Sequence, residues 1–263
     1  MKKPDSFAPL SGRRARGFSL VELMVAVAVS VFLLAGLFSI LQSTHKTSDN
    51  ERVLAQLQDD ERIAMTLFTN VIESAGYYSN ALNGGSVLTA LPAVGVFAND
   101  GQVVYGVTNA DGNDSITLRY QADATDAAVL TCQGTTPLDG NPHRSTFSLD
   151  SVTGNLQCSI DGAAPVTLIS GVQSMTVRYG VGSGLTLPNS AGSVDSYLSA
   201  ADVDAVPLRW TNVYTVRISL TFKNPMVTGT GALQAGQDKA PPITFSRIIS
   251  IKSRTGVNVA NYI

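Results

Sequence analysis

The segment RRARGFSLVELMVAVAVSVFLLAGLFSIL, from Arg13 to Leu41, sets the architecture of the whole 263-residue chain. A basic leader ends at Gly17, and an apolar run opens at Phe18 with one carboxylate, Glu22, near its head. From Leu23 to Leu41 there is no charge, which at the helical rise makes about 28 Å, close to the hydrocarbon thickness of a bilayer. The run can span, and it exceeds the apolar core of a cleavable secretory signal, about 7 to 15 residues. Lys2, Lys3, Arg13, Arg14 and Arg16 precede it, whereas beyond it Lys46 is offset by Asp49 and Glu51. The cationic flank predicts a cytoplasmic N-terminus, with everything after Leu41 periplasmic or extracellular. A carboxylate in such a run is costly unless paired or at the interface. Glu22 is therefore either an intramembrane group awaiting a cation or a headgroup-level residue beside the arginines.

Working outward, no proline or turn signal separates this run from Gln42 to Ser74. Leu54, Leu57, Ala64, Leu67, Phe68 and Val71 recur at spacings of three, four or seven, with Glu51, Arg52, Gln58, Asp59, Asp60 and Arg62 between them. One helix of about 87 Å is expected, apolar all round at first and amphipathic later, its second half cradling a sheet. Gly36 and Ser39 are either a helix-packing face or incidental. Gly76 supplies the left-handed helix stop.

Beyond it, residues 80 to 112 read as an irregular connection with a short strand at Val103 to Val107. Strand patterns follow at Ser115–Tyr120, Ala128–Cys132, Thr146–Leu149, Leu156–Ile160 and Val166–Ile169, with a hairpin at Ser151 to Asn155. Their short connections make them antiparallel. A further strand covers Gly171 to Gly180, then an exposed loop from Gly182 to Asp204, then Trp210 to Phe222, the clearest strand. In it Tyr214, Val216, Ile218, Leu220 and Phe222 form the core face. Asn224 to Pro242 reads as a second loop before a last strand, Ile243 to Ile251. The fold class is α+β: a long N-terminal α-helix packed on an antiparallel β-sheet head domain.

Charged residues make up 14% of the chain and the formal net charge is -2, so nothing marks a nucleic-acid-binding surface. Two cysteines, Cys132 and Cys158, suit an oxidising compartment. Paired, they close a loop of about 26 residues, worth up to roughly 3.5 kcal/mol in the chain-entropy model; otherwise they are two buried thiols. No zinc spacing, phosphate-binding loop, zinc-protease helix or nucleophile elbow occurs. Asp111-Gly112-Asn113-Asp114 lacks the downstream acid of a calcium loop and reads as a turn. His143, beside Pro142 and Arg144, reads as a solvated loop histidine, and Trp210 as a packing residue. No metal, cofactor or catalytic residue is expected.

Gly17-Phe18-Ser19-Leu20-Val21-Glu22 after a cluster of arginines resembles the class III signal of type IV pilins and pseudopilins. Ala75-Gly76-Tyr77 at the helix end, and Gly171 to Gly180 with its Gly-Val start and Tyr-Gly close, resemble PilW-type minor pilins. There Ala-Gly-Tyr is often followed by cysteine, where this chain has Tyr78, Ser79 and Asn80. The resemblance implies cleavage by prepilin peptidase between Gly17 and Phe18, methylation of the Phe18 amine, and pairing of Glu22 with that amine on a neighbouring subunit. It divides the chain into a leader (1–17), a transmembrane half-helix (18–41), an amphipathic half-helix (42–75) and a β-rich head (76–263). It implies a single-pass inner-membrane protein that later enters an extracellular pilus. Its partners would be the lipid bilayer, other minor pilins, the major pilin and the inner-membrane assembly platform, and its role would be in initiating a type IV pilus. Two other functions share these features: a J-type tip pseudopilin of type II secretion, and a membrane-anchored binding module or pilus-tip adhesin using the Gly182 to Asp204 loop.

Overall fold

The computed structural model describes residues 17, 19–79, 85–123, 129–137, 139–182, 194–222, 224 and 242–254. The chain forms two compact units, Met1–Arg52 and Val53–Ile263. Helix α1, Leu20–Ser74, is unbroken and passes through that boundary. In the first unit it is exposed on all sides, with Phe32 at 84% and Leu20 at 76%. Hydroxyls there bond back to the helix, Ser30 Oγ donating to the Ala26 carbonyl at 2.7 Å and Thr44 Oγ1 to that of Ile40 at 2.9 Å. An apolar surface whose few polar groups are satisfied internally is what a bilayer tolerates.

In the second unit α1 buries Leu57, Ala64, Met65, Phe68, Val71 and Ile72. Leu54 and Leu67 of the expected stripe are half-buried. Met65 and Ile72 take their place, because the buried line doubles into the adjacent pairs 64/65 and 71/72 as it approaches the sheets. The helix stops where Gly76 turns to φ +78° and donates its N–H to the Arg119 carbonyl at 2.9 Å. A Cβ there would lie 2.7 Å from Val103 Cγ1 and closer still to the Ser253 hydroxyl, so glycine is required by conformation and by space.

The single sheet expected from sequence is two. Strands β1 (Val104–Thr108), β2 (Asp114–Asp123), β3 (Asp139–Asp150), β4 (Asn155–Ile160) and β5 (Val166–Ile169) form an antiparallel meander in chain order. Strands β6 (Val172–Val181), β7 (Ser196–Leu198), β8 (Val213–Phe222) and β9 (Ile243–Ser250) form a second antiparallel sheet, ordered β7-β6-β8-β9. The division falls at Ser170-Gly171, where Gly171 at φ +83° swings the chain out of the first sheet. Side chains at the β1–β2 turn then cap the strand edge of β6 that β7 leaves uncovered: Met175 N–H donates to Asn113 Oδ1 at 3.1 Å and Val177 N–H to Asp114 Oδ2 at 2.7 Å. Both sheets share one core with α1: Phe68 meets Phe147 of β3 with ring centroids 4.3 Å apart, and Arg247 of β9 reaches the Thr69 hydroxyl at 3.5 Å.

Three expectations need correction. Val129 to Cys132 is not a strand, because Thr131 closes a local loop on Thr135 through backbone (2.8 Å) and hydroxyl (2.7 Å) bonds; Ala128 lies outside the described residues. The strand at Thr146–Leu149 extends back to Asp139, so His143 stands on a strand, and Pro142 is accommodated beside a register shift at Gln121/Asp123. The described part of the Gly182 to Asp204 loop is structured: β7 pairs with β6, and helix α2, Ala200–Asp204, is capped reciprocally by Ser199 and Asp202 and buries Val203. Most of the loop from Asn224 to Pro242 lies outside the described residues. Trp210 belongs to a 3-10 turn, Arg209–Asn212, ahead of β8.

Gly76→Ala is expected to lower stability by about 3 kcal/mol, a left-handed penalty plus a clash. Gly112→Ala, at φ +82° with nothing within 4 Å, should cost only about 1 kcal/mol. Urea unfolding of both variants followed by circular dichroism checks the difference.

Candidate functional site

At the N-terminal end, Gly17 is exposed irregular backbone, and Phe18 lies outside the described residues. Ser19 caps α1: its hydroxyl accepts from Glu22 N–H at 3.2 Å, and its carbonyl accepts from Leu23 N–H at 3.2 Å. Glu22 thus occupies the third helical position, in a Ser-x-x-Glu spacing that also reads as a helix start. A carboxylate in the first turn complements the positive end of the helix dipole. The site is a short exposed peptide ending in a capped helix, with the acid at its head and only uncharged side chains for the next turns. Gly36 has nothing within 4 Å on this unit.

In the head, Cys132 and Cys158 are joined in a disulfide with Cα atoms 6.1 Å apart, and both are buried. The bond ties the loop before β3 to β4. Gln133 Nε2 reinforces it by donating to the Cys158 carbonyl at 3.3 Å, and Ser145 Oγ accepts from Cys132 N–H at 3.3 Å. Ser145 also shares a 2.9 Å hydrogen bond with the Tyr120 phenol, whose pKa burial pushes up to about 12.

Sequence reading missed Arg119, which is 1% exposed. Its guanidinium donates to the carbonyls of Pro92 at 2.6 Å, Leu91 at 2.9 Å and Asn99 at 3.3 Å, and by a short bond to that of Gln102. It also lies 4.4 Å from the centre of the Phe97 ring. One cation therefore gathers the irregular connection before β1, which has turns but no periodicity to predict a shape. Burial lowers its pKa to about 10 against the attraction of Asp100, still charged at neutral pH. Strand parity pointed the other way, because Ile116, Leu118 and Tyr120 hold the core face of β2 and Arg119 falls between them on the opposite face.

His143 is held between two carboxylates, Nδ1 to Asp161 Oδ2 and Nε2 to Asp139 Oδ1, both at 2.7 Å. Partial burial disfavours its charge, but the bonds to Asp161 and Asp139 prevail and raise its pKa above the ordinary value. Asp139, bonded by Asn141 and by His143, is held well below the carboxylate range. The Asp111 to Asp114 turn is closed internally, with Asp111 accepting from Asn113 N–H at 3.0 Å. Trp210 packs on Tyr179 at 4.8 Å and Tyr105 at 5.3 Å and donates to Asp204 Oδ1 at 3.1 Å. Among the described residues no cluster of three or more His, Cys, Asp or Glu could hold a metal ion.

Two family models match this chain. Residues 12–38 match the prokaryotic N-terminal methylation motif, which spans the Gly17-Phe18 junction and Glu22. Residues 150–246 match the type IV pilus-assembly protein W family, covering β4 to β8 and much of β9. A pilin-like protein, PilA3, of Thermus thermophilus is 23% identical over 200 residues, 75% of this chain and 81% of that protein. A solved type IV-like pilin from Thermus thermophilus, TTHA1219, is 12% identical and superposes with a TM-score of 0.40 over 76% of this chain and 98% of its own.

Arg119→Met should leave the gathered carbonyls without donors and cost about 3 kcal/mol or more, and Arg119→Lys, lacking the planar fork, should recover only part of it; urea midpoints check both. For His143 the folded pKa lies above the unfolded value, about 6.5, so its contribution is full below that pH and is lost as pH rises through the folded pKa. For Asp139 the folded pKa is depressed, so its contribution is present above about pH 4 and lost as pH falls further. The urea-midpoint gap between the native chain and His143→Gln should therefore be widest near pH 5.5 and shrink by pH 8.5.

Proposed function

We propose that this chain, a type IV pilin-like protein by its methylation motif and its PilW-type region, is a minor pilin that helps initiate a type IV pilus and is built into it. In this reading prepilin peptidase cuts between Gly17 and Phe18, the new Phe18 amine is methylated, and the protein waits in the inner membrane with its head domain outside the cytoplasm. It then joins other minor pilins and the major pilin on the assembly platform.

One observation carries the reading. The methylation motif coincides with a capped helix start, and no residue of its apolar continuation is buried within the chain. Such a helix needs lipid or other helices around it, and a subunit that moves from bilayer to fibre has one and then the other. Glu22 then has a partner on assembly: the Phe18 amine of a neighbour, whose cation would offset the cost of a carboxylate in apolar surroundings. Pairing of that kind sets the axial register between subunits.

Intact mass and N-terminal sequencing of the protein from membranes with and without prepilin peptidase test the first step. A chain beginning at methylated Phe18 only when the peptidase is present is expected; a chain uncut in both strains would reduce the segment to a plain anchor. Glu22→Ala should still be cut and inserted but be depleted about tenfold or more from sheared fibres, measured against the membrane pool.

A further inference from the structure

The outward face of the second sheet has a charge pattern that the assembly role does not use. Strands β6, β8 and β9 contain no aspartate or glutamate, yet carry Arg178, Arg217 and Arg247, in a chain whose net charge is -2. Arg247 turns inward to α1. Arg178 and Arg217 stand directly opposite each other across β6 and β8 on the outward face, an arrangement that disfavours the sheet unless each charge is compensated. Arg178, whose side chain is 42% exposed, has Asp114 at 3.7 Å. Arg217 lies 4.0 Å from the centre of the Tyr197 ring, which holds the guanidinium without neutralising it.

Beside this pair run two rows of hydroxyls in register across the same strands, Ser174–Thr221–Thr244 and Thr176–Ser219–Ser246. Thr221 and Thr244 are bonded at 3.0 Å, and Ser219 and Ser246 share a short bond. Thr244 and Ser246 are exposed, and the other hydroxyl residues are partly so. Each hydroxyl can donate and accept, and within each row they repeat at the strand spacing of about 4.8 Å, close to the length of one pyranose unit along a chain.

We propose that this face, centred on Arg217, binds an acidic polysaccharide, with the arginines taking its carboxylates, the rows taking its hydroxyls and Tyr197 flanking a sugar ring. The complementarity is one of charge and of donors: Arg217, on strands that contain no aspartate or glutamate, for the acid groups, and neutral hydroxyls for the rest of each unit. The proposal stands independently of the role in pilus initiation.

Binding of the purified full-length chain in detergent micelles to alginate, a polyuronate, tests it, with dextran and duplex DNA as comparisons. Alginate should bind with an affinity that falls as salt rises, and dextran should not bind measurably. Arg217→Gln should raise the alginate Kd roughly tenfold, and Thr221→Glu, which places a carboxylate in the outer hydroxyl row of the same face, should do the same. Arg62→Gln, on a 78% exposed side chain of α1, should leave it unchanged. Circular dichroism establishes that the variants are folded, and if Arg217→Gln is not, Thr221→Glu carries the test. Absence of alginate binding, equal binding of dextran, DNA binding as tight as alginate, or an equal loss in Arg62→Gln would each overturn the assignment.

Discussion

Burial of one helical stripe against two sheets is the constraint from which the head domain follows. Met65, Phe68, Val71 and Ile72 are fully shielded, and so are residues of both sheets in the same core, among them Phe147, which meets Phe68, and Val177 and Ile218. A sheet of short strands with one apolar face, or a half-helix with one apolar stripe, has nowhere else to place that surface in water. The same residues in a chain lacking either partner would expose several aromatic and aliphatic side chains at once. This is why the unit boundary falls at Val53, inside the helix, rather than at its end.

Arg119 joins the elements that burial alone would leave loose. Its backbone carbonyl receives the Gly76 N–H that ends the helix, while its side chain draws in four carbonyls of the connection leading to β1. A buried cation hydrogen-bonded to carbonyls rather than to a carboxylate is tolerable because the carbonyl dipoles and the Phe97 ring replace its hydration and Asp100 attracts it. The helix stop, the second strand and the irregular connection therefore meet at one residue. The disulfide does a related service elsewhere on the first sheet, holding to β4 the loop that Thr131 and Thr135 close, with the hydrogen bonds from Cys132 to Ser145 and from Gln133 to Cys158 beside it.

The two units obey different solvents. Residues of α1 from Leu23 to Leu41 carry no charge and are exposed on every side, and Ser30 returns its hydroxyl to the helix backbone, which suits surroundings without water. Strand β8 of the second sheet instead turns hydroxyls and Arg217 outward in alternation with its core residues, which suits a surface open to water and its solutes.

The chain by itself determined what depends on local periodicity: the long helix, its membrane-like first half, its stop at Gly76, most strands, the β3–β4 hairpin and the core face of β8. These follow from near neighbours along the chain, where the 3.6- and 2-residue periods and the turn residues act. The motif around Gly17 and Glu22 was legible for the same reason, being a continuous run of residues. Tertiary structure alone decided that the strands divide into two sheets, that Arg119 is a buried organiser, that His143 sits between Asp139 and Asp161, and that Arg178 faces Arg217. Each of these joins residues distant in the chain through hydrogen bonds or strand register, and such pairings are chosen by the competition among all buried polar groups for partners, which no single stretch of sequence contains.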